Sequence, residues 1–169
     1  MIQDGLDPAG RLAALGLTLP PARKPIANFS ATKLCGHLLY ISGQGPVTAD
    51  GRRFTGKVGA DVSVDEAYEH AKLTGLNLLS AASAALGSIS AIAEIVKILG
   101  FVNAVPEFTD HPRVINGCSD LMLAVFGHDR GSHARSAIGV GSLPNQITVE
   151  VEMIVRVDRE IVLKMTSGA

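Results

Sequence analysis

The sequence predicts an α/β domain in which two helices pack on one face of a mixed sheet. Three observations support this fold class. The chain has 169 residues and is 47% hydrophobic and 18% charged, so it is globular and long enough to bury its own core. Two long segments have helical periodicity, and several short apolar segments have the length of strands. In chain order these elements read β-β-α-β-α-β-β, the pattern of an α+β sandwich.

The N-terminal segment is predicted to hold a short helix and an extended arm. Asp7 and Pro8 begin the helix and Gly16 ends it, because proline fits a first helical turn and glycine fits the residue after the last turn. Three prolines between residues 20 and 25 then keep the chain extended. We therefore divide the chain into an N-terminal helix and arm, a main domain and a C-terminal tail, at residues 1–27, 28–159 and 160–169.

The first pair of strands is predicted on either side of an Asp-Gly turn. Residues 37–42 are mostly apolar and are followed by a glycine-rich segment, which indicates a buried strand. Residues 48–51 contain the Asp-Gly pair typical of hairpin turns. Phe54 is therefore predicted to begin the return strand.

The first long helix has both of its ends marked in the sequence. Ser63 and Glu66 form a capping box at its start, and Gly87 is the predicted C-cap. Apolar and small residues recur between them at spacings of three and four, which predicts a helix face that packs closely on the sheet. These residues are Val64, Tyr68, Ala71, Gly75, Leu78, Ala82 and Ala85.

The remaining elements follow without a linker or a repeat. The sequence predicts a strand at 95–105, a helix at 110–126 with Pro112 in its first turn, a polar loop at 127–132, a strand at 135–140, a turn at 143–146 and a strand at 147–157.

The last strand alternates strictly between apolar and polar residues, so its two faces differ. One face is apolar and belongs to the core: Ile147, Val149, Val151, Met153 and Val155. The other face carries mainly polar side chains: Thr148, Glu150, Glu152 and Arg156. A charged face in so apolar a chain needs water, a partner subunit or a ligand.

Arg135 is the strongest candidate for ligand binding. Its guanidinium presents a planar fork of donors that matches a carboxylate. The alternative is a structural ion pair with Glu150 or Glu152 across the sheet. The two glutamates could serve acid–base chemistry, or they could line a wet subunit interface. The segment Ser42-Gly43-Gln44 permits close approach of a ligand to the backbone, or it forms a β-bulge.

Composition and motifs argue against several other classes. A net charge of −1 and a pI of about 6.5 give no basic surface typical of nucleic-acid binding. His128 and His133 do not have metal-ligand spacing and are predicted to be exposed loop residues, so neither a metal nor a cofactor is expected. Cys35 and Cys118 are predicted to be reduced thiols. We see neither a signal peptide nor an apolar run of the roughly 18 residues that span a membrane, and we expect a cytoplasmic protein.

Taken together, these motifs resemble the Rid family of YjgF-like reactive intermediate deaminases, and the likeness covers residues 29–157. The family pattern is Ser-Gly-Gln after a strand, an Asn in the second helix, Arg-Ser before a strand, Leu-Pro, and a strand that alternates with glutamate. The corresponding segments here are Ser42-Gly43-Gln44, Asn116, Arg135-Ser136, Leu143-Pro144 and Val149-Glu150-Val151-Glu152.

The resemblance implies a chorismate mutase-like fold, a homotrimer with three clefts between subunits, and hydrolysis of enamines and imines such as 2-aminoacrylate to 2-keto acids and ammonia. By the same resemblance, Arg135 binds the substrate carboxylate and Glu150 positions or activates water. The substrate-binding residues implied in the cleft are Phe29, Ser42, Gly43, Asn116 and Ala137. No membrane or nucleic-acid partner is implied.

Two residues depart from the pattern of many members. Phe29 stands where many carry tyrosine, and Ala137 stands where many carry cysteine, so a hydroxyl and a thiol are missing from the expected cleft. These departures favour one alternative, a non-catalytic trimer that binds small carboxylates. A second alternative is RNA cleavage, an activity attached to some relatives, which the balanced charge disfavours.

Overall fold

A computed structural model describes residues 5–25, 27–158 and 160–163. Most of the predicted C-terminal tail, residues 164–169, lies outside the described residues. The elements in chain order are α1 (Pro8–Ala14), β1 (Thr32–Cys35), β2 (Leu38–Gln44), α2 (Val64–Leu86), β3 (Ile92–Asn103), α3 (His111–Gly131), β4 (Ala134–Val140) and β5 (Val149–Val157), with short 3₁₀ turns at Ile89–Ala91 and Pro144–Gln146.

The five strands form one mixed sheet in the order β1-β2-β5-β3-β4. Only β3 and β4 are parallel, and every other neighbouring pair is antiparallel. Helix α3 lies close against the sheet where two strands carry glycine. A Cβ atom on Gly100 would lie 2.6 Å from Ile115, and one on Gly139 would lie 2.2 Å from His111. The predicted class, an α+β sandwich with helices on a mixed sheet, is confirmed.

The first hairpin differs from the prediction. It joins β1 to β2 through a tight turn at Gly36, whose φ is 59°. We missed β1 because it is only four residues long and two of them are polar. The Asp-Gly turn does form, and Gly51 N donates to Thr48 O at 3.0 Å. It leads only to isolated bridges, and Phe54 stacks on His70 of α2, with 4.3 Å between the ring centroids.

The helix ends follow the sequence signals. Ser63 and Glu66 form the predicted capping box, and Gly87 ends α2 in the left-handed conformation with φ 84°. Helix α3 extends beyond the predicted end at residue 126, but Gly127 interrupts it with φ 75° and ψ 172°. Within the described part of the chain, no helix is long and apolar enough to cross a membrane.

The small residues of α2 pack against α3 as well as against the sheet. Gly75 faces Leu121 and Cys118 of α3, and a Cβ there would lie 2.9 Å from the Leu121 side chain. The contact is closest at Gly117, where a Cβ would lie 1.9 Å from the carbonyl oxygen of Tyr68. The predicted close packing is therefore largely a helix–helix contact, a partner that a helical pattern alone does not identify.

Gly117→Ala is expected to destabilise the protein severely. The new methyl group would overlap the Tyr68 backbone, which cannot move aside like a flexible side chain, so the helices must separate. Overpacking typically costs about 1–3 kcal/mol, and a clash with backbone belongs at or above the upper end. Equilibrium urea unfolding measures the loss. Gly141→Ala is the control, because no atom lies within 4 Å of its Cβ position; equal stability of the two variants would contradict this packing.

The alternation of β5 positions the site, because it fixes which side chains face the helices. Val149, Val151, Met153 and Val155 are buried in the core. Glu150, Glu152 and Arg156 point to the other side, which we call the open face of the sheet. Thr148 is an exception to the predicted polar face, because it is fully buried and its hydroxyl lies 3.1 Å from His70 Nδ1.

Candidate functional site

Arg135 lies on β4, one of the two edge strands of the sheet, and its side chain points toward α3. Its Nη1 group donates to Asn116 Oδ1 at 2.8 Å and to Ser119 Oγ at 3.0 Å. Asn116 and Ser119 are three residues apart on α3, so they share one face of the helix. The structure therefore brings together Arg135 and Asn116, two residues that the sequence placed at the site.

The other edge of the guanidinium remains available to a ligand. Nε and Nη2 of Arg135 have no hydrogen-bond partner among the described residues, whereas both hydrogens of Nη1 are directed at α3. Nε and Nη2 together form the fork that binds a carboxylate through two parallel hydrogen bonds. No ion pair of Arg135 occurs in the described part of the chain. The alternative of a structural pair with Glu150 or Glu152 is therefore not supported.

His133 was wrongly predicted to be an exposed loop residue. It is half-buried, with Nε2 2.9 Å from Ser119 Oγ and Nδ1 2.7 Å from the carbonyl oxygen of Gly131. Burial is the main cause that lowers the pKa of His133; the hydrogen bond to the Gly131 carbonyl raises it, and the positive charge of Arg135 lowers it by a smaller amount. Neither Ser119 nor His133 belongs to a sequence motif that could have indicated this contact.

Glu150 lies on the open face of the sheet beside Gly43 of β2. A Cβ atom on Gly43 would lie 2.2 Å from Glu150 Oε1, so a side chain at this position would displace the carboxylate from where it now lies. Burial raises the pKa of Glu150, and the negative charge of Glu152 raises it further. A carboxylate whose pKa is shifted upward accepts a proton more readily at neutral pH.

A β-bulge in β2 explains the position of Gly43. The register of β2 with β5 shifts between Ile41 and Gln44, so Ser42 and Gly43 bulge from the strand, as the alternative interpretation of this segment had it. Ser42 Oγ donates to the carbonyl oxygen of Ser30 at 2.8 Å, which ties the bulge to the segment before β1. The β-bulge therefore places Gly43 next to the Glu150 carboxylate.

Phe29 is 52% exposed and lines a cavity of about 320 Å³ together with Gly43. Three cationic side chains also line this cavity: Arg23 and Lys24 from the N-terminal arm, and Arg53 from the loop after β2. The arm therefore contributes to the surroundings of the site, and its charges suit an anionic ligand.

The candidate residues form two groups in one chain. The arginine half-site consists of Asn116, Ser119, Arg135 and Ala137. The glutamate half-site consists of Phe29, Ser42, Gly43 and Glu150. Arg135 and Glu150 belong to strands separated by β3, about 10 Å apart at the usual strand spacing, and they point to opposite faces of the sheet. A small ligand cannot contact both residues within one chain.

The usual arrangements of metal ligands and reactive thiols provide a comparison for the described residues. No group of three or more His, Cys, Asp or Glu side chains there is arranged to hold a metal ion. Cys118 is fully buried, and burial raises the pKa of its thiol to about 12, so it remains protonated. Cys35 is exposed and lies on β1.

The fold and these motifs define a class of protein. A family model described as "YjgF/chorismate mutase-like, putative endoribonuclease" matches residues 9–154. The chain belongs to this family, and the resemblance to YjgF-like (Rid) proteins is confirmed. The match begins within α1, so it includes most of the N-terminal helix and arm.

Individual relatives cover nearly the whole chain. Protein TCP17 of Trypanosoma cruzi is 40% identical over 154 residues, which are 89% of this chain and 96% of that protein. The crystal structure of Atu1372 from Agrobacterium tumefaciens, a protein of unknown function, is 43% identical with a TM-score of 0.81, covering 89% of this chain and 94% of that one. A structure from Shewanella oneidensis, described as a putative endoribonuclease, is 30% identical with a TM-score of 0.86, covering 90% and 100%.

Proposed function

We propose that this protein hydrolyses small enamine or imine carboxylates, of the 2-aminoacrylate kind, to 2-keto acids and ammonia. The reaction takes place in clefts between the subunits of a homotrimer in the cytoplasm. One observation carries the proposal: the unpaired Nε/Nη2 edge of Arg135 and the shifted carboxylate of Glu150 lie on opposite faces of one chain. A neighbouring copy that presents its glutamate half-site to the arginine half-site completes the cleft.

Arg135 binds and orients the substrate in this proposal. Its fork holds the carboxylate, while Asn116 and Ser119 fix the plane of the guanidinium through Nη1. The carbon that carries the nitrogen is then held next to Ala137, which lies two residues after Arg135 on the same face of β4. Restricting the substrate to one orientation accounts for a substantial part of the rate gain in such reactions.

Glu150 of the neighbouring subunit activates water. An enamine first becomes the imine by taking a proton on its terminal carbon and losing one from nitrogen. The Glu150 carboxylate accepts a proton from water as the oxygen bonds to the imine carbon, and it gives that proton to the imine nitrogen. The hydroxyl proton of the resulting carbinolamine then passes to the nitrogen, the C–N bond breaks, ammonia leaves, and the carbonyl of the 2-keto acid forms. A carboxylate with a raised pKa is suited to accept the proton and to return it to the departing nitrogen. Phe29, Ser42 and Gly43 surround the same space.

A non-catalytic carboxylate-binding trimer is the second candidate. Ala137 and Phe29 favour it, because they supply neither thiol nor hydroxyl to the cleft, and Arg135 alone suffices for affinity. An assay of ammonia and keto acid release from a freshly generated imine distinguishes the two. Release faster than in buffer supports the enzyme, and binding of 2-keto acids without release supports the binding protein. Cleavage of RNA under the same conditions would contradict both.

The cleft predicts a specific result for mixed trimers. Subunits carrying Arg135→Ala and subunits carrying Glu150→Gln are each inactive in their own trimers. Unfolded together in equal amounts and refolded, they should recover about a quarter of the wild-type activity, because in a closed ring with head-to-tail interfaces random mixing leaves one cleft in four with both native residues.

The refolded mixture is compared with the two variants refolded separately and then combined, which should remain inactive. Sedimentation equilibrium measures the mass in each sample. A monomer at micromolar concentration, or a mixture without recovered activity, would contradict a cleft shared between subunits.

A further inference from the structure

A chain of hydrogen bonds leads from Arg135 into the protein through Ser119 and His133. Because the Gly131 carbonyl can only accept, Nδ1 of His133 donates to it at 2.7 Å. Nε2 of the neutral ring is then an acceptor, so the Ser119 hydroxyl donates to it at 2.9 Å. Arg135 Nη1 donates to the same hydroxyl oxygen at 3.0 Å. The hydrogen of Ser119 thus points inward, away from the free fork of Arg135.

Protonation of His133 reverses this arrangement. Nδ1 still donates to Gly131, but Nε2 now carries a hydrogen and donates to Ser119. The hydroxyl oxygen then accepts from both His133 and Arg135, and its own hydrogen must turn away from both donors. Ser119 is 7% exposed and bonds directly to the guanidinium that carries the free fork. His133 is thus linked to the guanidinium through one shared hydroxyl.

We propose that Ser119 and His133 belong to the carboxylate site, and that binding of a carboxylate to Arg135 is coupled to uptake of a proton by His133. Ser119 connects the two groups, because its hydroxyl bonds to both Arg135 and His133. This inference rests on the proposed carboxylate binding at Arg135. It does not rest on the hydrolytic reaction, so the two can fail separately.

The charges around His133 support the coupling. Arg135 is the charged group that lowers the pKa of His133, in addition to burial. A bound carboxylate offsets that positive charge, so the pKa of His133 rises on binding. The other charged or titratable side chains of these elements are Cys118 of α3, whose thiol stays protonated; His128 and Asp129 at the end of α3; Arg130, which donates to the Ile92 and Ala93 carbonyls; and Lys97, which contacts Ser136 on the other face of the sheet.

The direction of the pH dependence follows. The pKa of His133 in the complex lies above that in the free protein, so protons are taken up on binding at pH values between the two. The affinity for a carboxylate should rise as the pH falls through this window, by at most about tenfold per pH unit for a single group. It should be constant below the lower pKa and above the upper one.

Isothermal titration calorimetry with pyruvate as the probe tests the proposal. Titrations in two buffers of different ionisation enthalpy, at several pH values between 5.5 and 8 (roughly the range in which histidine titrates), give the number of protons taken up per site. We expect uptake of up to about one proton in wild type. In His133→Gln, which keeps an amide donor but cannot titrate, uptake should vanish and the affinity should no longer depend on pH. His133→Asn is the second variant if the longer side chain disturbs folding.

A matched control separates His133 from the other histidine with a lowered pKa. His70 is also half-buried, but it contacts Thr148 and Phe54, so His70→Gln should keep the proton uptake. Ser119→Ala should weaken pyruvate binding across the pH range, because Ser119 holds the guanidinium through Nη1.

The titrations separate failure of this inference from failure of the proposed function. Pyruvate binding with the same proton uptake in His133→Gln as in wild type would overturn this inference alone. Absence of pyruvate binding to the wild-type protein would overturn this inference and the proposed function together.

Discussion

Arg135→Ala is expected to weaken the binding of 2-keto acids by a factor of roughly thirty or more. The substitution removes a charge-assisted pair in a half-buried position, and losing one partner of such a pair typically costs about 2–5 kcal/mol. Asn116 and Ser119 hold the guanidinium only through Nη1. The fork formed by Nε and Nη2 has no hydrogen-bond partner among the described residues, and the substitution removes this fork. Calorimetric titration of pyruvate measures the loss directly.

Arg135→Lys is the matched control. An ammonium group keeps the charge but cannot form two parallel bonds, so it should restore the affinity poorly. Both variants should keep the oligomeric mass of the wild-type protein, because Arg135 forms no ion pair with the described residues. If Arg135→Ala bound pyruvate normally, the arginine would be structural. If it separated into monomers, the weakened binding could not be assigned to the fork.

Local sequence signals predicted most of the fold. The capping box at Ser63, the C-cap at Gly87 and the alternation of β5 were correct because each depends on residues a few positions apart. The first hairpin was wrong for a physical reason. Its Asp-Gly turn forms locally, but the residues after it are held by α2, where Phe54 stacks on His70. This contact joins two separate elements of the chain, so the sequence of the turn alone does not predict it.

The candidate site was only partly predictable for the same reason. Arg135 and Asn116 were both expected at the site and do meet, although 19 positions separate them. Ser119 and His133 were missed because their contact depends on how the end of α3 returns toward β4, and neither residue belongs to a motif. The separation of Arg135 from Glu150 depends on strand order. The spacing of residues along a strand predicts which face of the sheet each side chain occupies. It does not predict which strands are neighbours in the sheet.

Glu150→Gln is expected to lower kcat by about a hundredfold or more while KM changes little, because the carboxylate acts mainly in the transition state. Glutamine has nearly the same shape, so it preserves the contact with Gly43, but it cannot accept a proton from water. Steady-state release of ammonia from a freshly generated imine measures both constants.

The pH dependence provides the control for this variant. Activity requires the ionised form of Glu150, so the rate should fall as the pH drops through the raised pKa of this group. Burial is the main cause of that shift and the charge of Glu152 is the smaller one. Glu152→Gln removes the smaller cause, so it should move the acidic limb of the pH–rate profile to lower pH and keep full activity at neutral pH. An unchanged kcat in Glu150→Gln, with the wild-type pH profile, would assign Glu150 to the structure of the interface instead of to the activation of water.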